Sequence, residues 1–206
     1  MFVNNLMKPK EKLITVTPKV TIAEALEIME QNNFLSIPVV EDAKFYGSIS
    51  KERIYSYYYK KSIDKKYLLS DFLVENVMRT DVPAIVPMKQ VEEAAHFLET
   101  KNVSFIAVVD GSGDFVGIVT HNVIFHQFTE LFGFNKGKRL AVLAYDIQGQ
   151  ISKLTKIITE NKGDIISFVV IDPKSLTEVK EIIIRLKTAN FDGIISKVKA
   201  AGFKVQ

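Results

Sequence analysis

Apolar and polar positions alternate along the first part of the chain with two different periods. After Pro18, apolar residues recur at the spacing of one helix face, and a T-x-x-E capping box begins at Thr21. Short apolar runs over Ile37–Val40 and Phe45–Ile49 have the length and flanking turns of strands. A second amphipathic stretch starts at Ser50. The pattern predicts a short strand, a helix, two strands and another helix. The first helix face is formed by Ile22, Ala25, Leu26 and Met29.

The same pattern then occurs a second time. Blocks of similar sequence return in one order at nearly constant spacing, which is hard to obtain by chance and indicates an internal duplication. The matched pairs are Val3–Met7 with Val74–Met78, Pro18 with Pro87, Thr21–Phe34 with Gln90–Val103, Ile37–Glu41 with Ile106–Asp110, and Tyr46–Ser50 with Val116–Thr120. Neither unit has enough residues to bury a sufficient core alone. We therefore predict that the two units pack together with pseudo-twofold symmetry.

The last third of the chain has a different pattern. Three apolar runs, of which Ile165–Ile171 is rich in β-branched residues, two amphipathic stretches and a short final run follow the order strand, helix, strand, strand, helix, strand. The strands are predicted over Arg139–Tyr145, Ile165–Ile171, Val179–Leu186 and Phe203–Val205, with Asp172–Glu178 as a connection. The helix faces are formed by Ile151, Leu154, Ile157 and Ile158, and by Ile194, Ile195, Val198 and Ala201. This βαββαβ order is typical of a ferredoxin-like α/β sandwich.

The composition says little about the fold, but it restricts the kinds of functional site that the chain can form. The chain has 47% hydrophobic and 25% charged residues, close to an average soluble globular protein. Its 27 basic and 24 acidic residues give a net charge of +3, too balanced to indicate a nucleic-acid partner or an acidic membrane. Cysteine is absent and only three histidines occur, which leaves little for a metal site or a catalytic triad. No targeting or membrane-spanning segment is visible, so we expect a cytoplasmic protein.

Individual motifs do not indicate catalysis. His121 and His126 are five residues apart, so they do not form a metal pair on one helix face. The Gly-rich Gly111–Gly117 lies between two predicted strands, which favours a β-turn over a phosphate loop. Tyr57–Tyr59 stand beside lysines, but a helix end that covers the neighbouring unit explains them better than base stacking. We therefore expect a protein that is not an enzyme.

The duplicated units resemble CBS domains, the regulatory modules that pair as a Bateman module. The resemblance rests on the repeated blocks above and on the turns GSIS at Gly47–Ser50 and GIVT at Gly117–Thr120. The final segment resembles an ACT domain, through D-I-Q-G-Q-I at Asp146–Ile151 and its element order. A CBS pair followed by an ACT domain resembles acetoin-utilisation protein B-type regulatory proteins. The implied boundaries are 1–60 and 74–131 for the CBS domains, 61–73 and 132–137 for linkers, and 138–206 for the ACT-like domain.

The CBS resemblance implies an adenosine-containing ligand (AMP, ADP, ATP or S-adenosylmethionine) in clefts between the units. Ser50 and Thr120 precede helices, so each is either a helix cap only or a cap that also contacts ribose or phosphate. Members of the family usually carry an Asp three residues later, where this chain has Arg53 and Val123. Because Arg53 could pair with phosphate, we expect a nucleotide to prefer the first unit's cleft. The implied nucleotide-binding residues are Thr17, Ser36, Ile37, Pro38, Ser50, Lys51, Arg53, Ile106, Ala107, Thr120 and His121.

The ACT resemblance implies an amino-acid effector site at the first turn of the last segment. Gly149 matches a position where the backbone approaches a small ligand, and Asp146 matches the preceding acidic position, whereas Gln148 stands where Pro is common. The alternative is that Gly149 only permits the turn and that a sheet edge pairs with a second copy to form a homodimer.

Two functions follow from these expectations. The first is a non-catalytic regulatory protein that senses an adenosine-type ligand, with the ACT-like domain for dimerisation or effector binding and a regulated enzyme or other protein as partner. The second is a structural dimerisation or interaction protein with degenerate ligand sites, which the missing Asp in both units supports. Neither requires a tightly bound cofactor, a metal, nucleic acid or a membrane.

Overall fold

The duplicated pattern folds as two copies of one chain path. In the computed structural model, which describes residues 1–61, 67–172 and 179–206, the first copy begins with a short strand and then follows the predicted order. Its elements are β1 (Lys8–Pro9), α1 (Ile22–Gln31), β2 (Ser36–Glu41), β3 (Lys44–Ser50) and α2 (Lys51–Lys61). The capping box is confirmed: the Glu24 backbone N–H donates to Thr21 Oγ1 at 3.2 Å, and Thr21 N–H donates to Glu24 Oε2 at 2.8 Å.

The second copy repeats the helix, hairpin and helix, and its short strand β4 corresponds to the isolated parallel bridge of Val16 with Val39 in the first copy. Its elements are β4 (Ala84–Ile85), α3 (Val91–Thr100), β5 (Phe105–Val109), β6 (Phe115–Thr120) and α4 (His121–Leu131). Strands β2 and β3 pair as one antiparallel hairpin, and the other sheet has the order β1-β6-β5-β4. The Gly-rich segment before β6 is a turn as predicted, since Gly113 N–H donates to Asp110 O at 3.0 Å.

The two copies exchange their N-terminal segments. Val3 is fully buried in the core of the second copy, and Val74, its counterpart in the repeat, is fully buried in the core of the first. The backbone contacts match as well: Val3 N–H donates to Lys89 O and Val74 N–H donates to Val20 O, both at 2.9 Å. The exchange gives the pair the predicted pseudo-twofold relation. Each copy completes the core of the other, which neither could fill alone.

Two glycines let the exchanged segments approach the hairpins. At Gly117 an added Cβ would lie 2.5 Å from Lys8 O, and at the equivalent Gly47 it would overlap the carbonyl oxygen of Arg79. Gly47 also has φ +151°, in the region that L side chains rarely adopt. Ser48 and Arg79 exchange backbone hydrogen bonds of 2.9 and 2.7 Å beside it. The close contact therefore requires glycine.

The last segment forms a four-stranded antiparallel sheet with the predicted βαββαβ order. Its elements are β7 (Lys138–Tyr145), α5 (Gln150–Glu160), β8 (Asp164–Ile171), β9 (Val179–Lys187), α6 (Phe191–Ala200) and β10 (Lys204–Val205), and the strand order is β10-β7-β9-β8. Both helices bury residues in the same core as alternate residues of β7 and β9, such as Val142 and Ile184. Ile151, predicted to face this core, is instead 48% exposed because it stands in the first turn of α5.

The chain divides into two compact units, Met1–Ile124 and Phe125–Gln206, and the boundary falls within α4. Part of the predicted 61–73 linker and most of the Asp172–Glu178 connection lie outside the described residues. In the described part of the chain, no helix has the length and apolar character needed to cross a bilayer.

We predict that Gly47→Ala destabilises the first unit. The added methyl group must displace the Arg79 backbone, and the residue must keep a φ that is unfavourable for alanine, so the free energy of unfolding should fall by about 1–3 kcal/mol. Urea unfolding followed by circular dichroism measures the change. Gly111→Ala is the matched control, because nothing lies within 4 Å of its added Cβ. Equal stability of the two variants would contradict the close contact.

Candidate functional site

The first unit contains two clefts that are counterparts in the repeat. Each cleft has one wall from each copy. One wall is the start of the hairpin in one copy, with the residues before it, and the other is the end of the hairpin in the second copy, with the N-terminus of the helix that follows. The first, here called the apolar cleft, has a volume of about 560 Å³ and lies between Asn33–Pro38 and Thr120–Asn122. The second, the polar cleft, has a volume of about 410 Å³ and lies between Asn102–Ser104 and Ser48–Arg53. Ser104 lines both.

The apolar cleft combines apolar walls with a few polar groups. Leu35 is 77% exposed and Ile14 39% exposed at its edge, while Phe105 and Ile118 are buried. Among the described residues, the buried Ser36 Oγ has no hydrogen-bond partner. An unpartnered buried hydroxyl is costly, so it provides a donor and an acceptor for a molecule that enters the cleft.

The lysine and the helix end in the apolar cleft favour an anion. Lys8 Nζ lies 6.0 Å from the centre of the Phe34 ring, and His121 begins α4 at the opposite side. Thr120 Oγ1 accepts from Val123 N–H at 3.4 Å, so Thr120 caps α4. The free backbone N–H groups at a helix start attract negative charge. The cleft can therefore take a flat apolar ring joined to an anionic group.

The polar cleft contains two arginines whose donors are already engaged. Arg79 donates from Nη1 to Asn102 O at 2.6 Å and from Nη2 to Lys101 O at 3.1 Å, and its Nε forms an ion pair with Asp81 at 2.7 Å. The hydrogen bond from Arg79 lowers the pKa of Asp81 below its ordinary value. Arg79 therefore stabilises the end of α3 and the exchanged segment together.

Arg53 was expected to meet phosphate, and the structure shows it bonded to the exchanged segment. Its Nε donates to Val77 O at 2.8 Å and its Nη2 to Met78 O at 3.4 Å. Its backbone N–H donates to Ser50 Oγ at 3.3 Å, which makes Ser50 the cap of α2. The basic residue at the usual Asp position thus has a structural use.

The predicted nucleotide residues fall into three groups. Ser36, Ile37, Pro38, Thr120 and His121 meet in the apolar cleft, although they come from different repeat units. Ser50 and Arg53 line the polar cleft instead. The remaining four do not line either cleft: Ile106 and Ala107 are fully buried in β5, Thr17 is half-buried, and Lys51 is half-buried with its N–H bonded to Leu35 O at 3.1 Å.

Sequence reasoning missed the residues that follow the exchanged segments. Lys8 follows VNNLM and Arg79 follows VENVM, so the repeat places a basic side chain at the same point of each cleft. The aligned blocks ended one residue earlier. Extending the alignment would have marked both residues, but their position beside the opposite copy depends on the exchange.

The predicted effector turn lines a pocket in the second unit. The pocket has a volume of about 620 Å³, and its walls include Asp146, Gln148 and Gly149 together with Lys180. Lys180 Nζ forms an ion pair with Asp146 Oδ2 at 2.8 Å, and this hydrogen bond raises the pKa of Lys180. Gly149 has φ +90°, and nothing lies within 4 Å of where a Cβ would be, so its conformation alone explains the glycine.

Comparison with known proteins settles the class of the first unit. The family model of the CBS domain matches residues 3–60 and again residues 74–128, more than half of the chain. The chain belongs to the CBS-domain family. The two matches coincide with the two copies, so the exchange of N-terminal segments takes place between the two CBS domains of one chain.

The curated relatives share the CBS pair as part of longer proteins. An uncharacterised protein of Methanocaldococcus jannaschii is 30% identical over 122 residues, which are 57% of this chain and 38% of that protein. Inosine-5'-monophosphate dehydrogenase of Thermoplasma acidophilum is 27% identical over 106 residues, which are 52% of this chain and 20% of that protein. The chain thus spans well under half the length of these relatives, and the match to the dehydrogenase covers the CBS part.

Solved CBS structures share the fold over about three fifths of the chain. A CBS domain-containing protein of unknown function from Bacillus anthracis is 26% identical with a TM-score of 0.54, covering 63% of this chain and 93% of its own. CBSX2 in complex with AMP is 24% identical, covering 62% and 95% with a TM-score of 0.53. CbpB in complex with c-di-AMP is 18% identical, covering 63% and 85% with a TM-score of 0.54. The CBS domain of a bacterial CNNM/CorC family Mg²⁺ transporter in complex with ATP is 16% identical, covering 63% and 87% with a TM-score of 0.55.

We predict that Arg53→Gln destabilises the CBS pair without any ligand present. The substitution removes the donors to Val77 O and Met78 O, and hydrogen bonds from charged groups contribute about 1.5–3 kcal/mol each when well formed. Lys51→Gln is the matched control, since it removes the same charge from the same first turn of α2. Urea unfolding of the two variants measures the difference. A loss confined to Lys51→Gln, or shared equally, would contradict this role of Arg53.

Proposed function

We propose that this protein is a non-catalytic regulatory protein whose CBS pair binds an adenosine-containing ligand, of the class of AMP, ADP, ATP or S-adenosylmethionine. The observation that carries the proposal is the apolar cleft, where an unpartnered buried hydroxyl, apolar walls and a helix N-terminus meet. The solved structures of this fold in complex with AMP, c-di-AMP and ATP support the ligand class.

The cleft provides for each part of such a ligand. In this proposal the adenine ring lies against the apolar lining, which includes Leu35 and Phe105, on the side of Ser36. Ribose and phosphate would then lie toward Thr120 and the α4 N-terminus, with the Lys8 ammonium and the His121 imidazole as nearby donors. Burial of the aromatic face supplies affinity, and the helix end favours the negative charge.

The apolar cleft is a better candidate than the cleft containing Ser50, which the sequence favoured. Ile37 and Pro38 line the same cleft as Thr120, whereas Ser50 lines the polar cleft. In the polar cleft, Arg53 and Arg79 already donate to backbone carbonyls, so a phosphate there would have to compete with those bonds. The polar cleft is the secondary site in this proposal.

The mechanism would be a population shift. Because the apolar cleft takes one wall from each CBS domain, a ligand binds best to one relative orientation of the two domains and stabilises it. A regulated enzyme or other protein that contacts the pair would respond to that orientation. The alternative, a structural interaction protein with degenerate sites, predicts clefts that bind no nucleotide.

We predict that adenosine ligands raise the unfolding midpoint of the wild-type protein and bind in the apolar cleft. A panel of AMP, ADP, ATP, c-di-AMP and S-adenosylmethionine is screened by thermal shift, since a ligand at 100 times its Kd stabilises the folded state by about 2.7 kcal/mol. Calorimetry then compares the ligand affinity of the wild type with that of Leu35→Ser. This variant replaces the exposed leucine with serine, the residue at the equivalent position of the second repeat, Ser104. Affinity should fall about tenfold with the loss of apolar contact.

The matched control for this experiment is Ser50→Ala. It removes a hydroxyl from the polar cleft and leaves the apolar cleft unchanged, so affinity should be retained. A larger loss for Ser50→Ala than for Leu35→Ser would move the site to the polar cleft. No binding by any member of the panel would favour the structural alternative.

For the second unit we propose an ACT-like role, dimerisation or binding of a small effector such as an amino acid. The pocket at the Asp146 turn supports the effector, because Lys180 and Asp146 present opposite charges that match the carboxylate and ammonium of an amino acid. The open edge of β8 is the candidate for pairing with a second copy. We also propose that the protein is a cytoplasmic homodimer. Its domain arrangement would then be that of the acetoin-utilisation protein B-type proteins that the sequence resembles.

We predict that an amino-acid effector, if the pocket binds one, requires both charges of the Lys180–Asp146 pair. Lys180→Gln and Asp146→Asn should each abolish the thermal shift found in a panel of amino acids, while the exposed Lys199→Gln on α6 leaves it intact. A panel without any shift would leave dimerisation as the role. Sedimentation measures that role directly, and a monomer at all concentrations would exclude it.

A further inference from the structure

Three polar side chains form a row across the sheet of the second unit. Arg139 on β7 pairs in register with Arg185 on β9, and Arg185 pairs with Ser167 on β8. The neighbours of Arg185 along β9, Ile184 and Leu186, lie in the core beneath the helices. Because side chains alternate along a strand, Arg185 and its cross-strand partners lie on the opposite face.

The positive charge of this row is poorly compensated. Within residues 1–61, 67–172 and 179–206, Arg185 Nε and Ser167 Oγ are buried atoms without a hydrogen-bond partner. Arg139 reaches a carboxylate only at a long distance, 3.8 Å from Nη2 to Oε1 of Glu181. Glu181 itself is four residues from Arg185 on the same strand and face. In the described part of the chain, Arg139 thus has a carboxylate only at long range, and Arg185 forms no ion pair.

This arrangement is unfavourable for the protein alone. Like charges directly opposite each other on a sheet repel, and a buried donor without a partner loses its hydration without replacement. Gly133 adds to the confinement: with φ +60°, its ideal Cβ would lie 2.9 Å from both Ser167 Oγ and Arg185 Cγ, so backbone closes one side of the row. The side chain of Arg139 is 46% exposed, which leaves the other side open to solvent.

We propose that Arg139, Arg185 and Ser167 form a binding site for an oxyanion, the carboxylate or phosphate group of a small ligand. The planar donors of two arginines match two oxygens of such a group, and a serine hydroxyl can donate to a further lone pair of a carboxylate or to a third phosphate oxygen. The anion removes the repulsion between the arginines. The site differs from the clefts of the CBS pair and from the Asp146 turn pocket, and it does not depend on the function proposed above.

The experiment uses the full-length protein labelled with ¹⁵N and follows its backbone amide resonances. Inorganic phosphate and succinate are titrated separately at constant ionic strength, so that general screening does not change. The amides of Gly133, Ser167 and Arg185 should shift in a saturable manner with at least one of the anions. Saturation with phosphate alone assigns a phosphate ligand, and saturation with succinate a carboxylate. Anion binding in the CBS clefts would instead shift the amide resonances near Thr120 or Ser50, which are distinct from those of the row.

Variants decide whether the row binds the anion. Arg185→Gln should weaken anion binding about tenfold or more. Arg139→Gln should also weaken it, and because the Arg139 side chain is exposed, this variant is expected to fold normally. Lys156→Gln on α5 is the matched control, since it removes one exposed charge away from the row and should keep the affinity. Absence of saturable shifts with both anions, or equal affinity in all three variants, overturns the proposal.

A second measurement tests whether the row lowers the stability of the second unit when no ligand is bound. Because Arg185 repels Arg139 and leaves a buried donor unpartnered, Arg185→Leu should raise the urea midpoint of the second unit when no anion is added, and added anion should stabilise only the wild type. A lower midpoint for Arg185→Leu would show that Arg185 serves the fold, which would also overturn the proposal.

Discussion

The exchange of Val3 and Val74 between the two copies is the contact on which the first unit depends. Each valine is fully buried in a core made of the other copy's residues, so the burial that stabilises one copy is supplied by the other. The exchange also brings Lys8 and Arg79 beside the opposite hairpins, where Gly117 and Gly47 permit the close approach. The clefts exist because those segments cross.

Symmetry of the backbone has not kept the clefts chemically equal. Leu35 in the apolar cleft corresponds to Ser104 in the polar cleft, and Lys8 corresponds to Arg79. In the polar cleft, arginine side chains satisfy carbonyls of the chain itself, which stabilises the fold and reduces what remains for a ligand. In the apolar cleft, Ser36 keeps an unpartnered hydroxyl. One cleft thus serves mainly the structure, and the other retains unused binding capacity.

The second unit shows the same contrast in its charges. Lys180 and Asp146 neutralise each other at 2.8 Å beside the turn, whereas Arg139 and Arg185 stand opposite each other on the sheet and Arg139 reaches Glu181 only at 3.8 Å. A paired charge contributes little strain, and an unpaired one costs stability unless something outside the chain compensates it. An effector at the Asp146 turn would have to exchange its charges with an existing ion pair, whereas an anion at the arginine row would compensate charge that the chain leaves unpaired.

The sequence by itself determined the elements, the duplication and the βαββαβ order, because helix faces, strand runs and the Thr21 cap depend on neighbouring residues and their spacing. It also indicated Ser36, Pro38 and Thr120 as candidate site residues. Only the tertiary structure decided which of them meet. Thr120 faces the strand of the other repeat, and Arg53 bonds to Val77 and Met78, because the exchanged segments cross between the copies. Likewise, Arg139, Arg185 and Ser167 are far apart in the chain and become neighbours only through strand register. Local spacing carries no information about such contacts, which long-range packing alone creates.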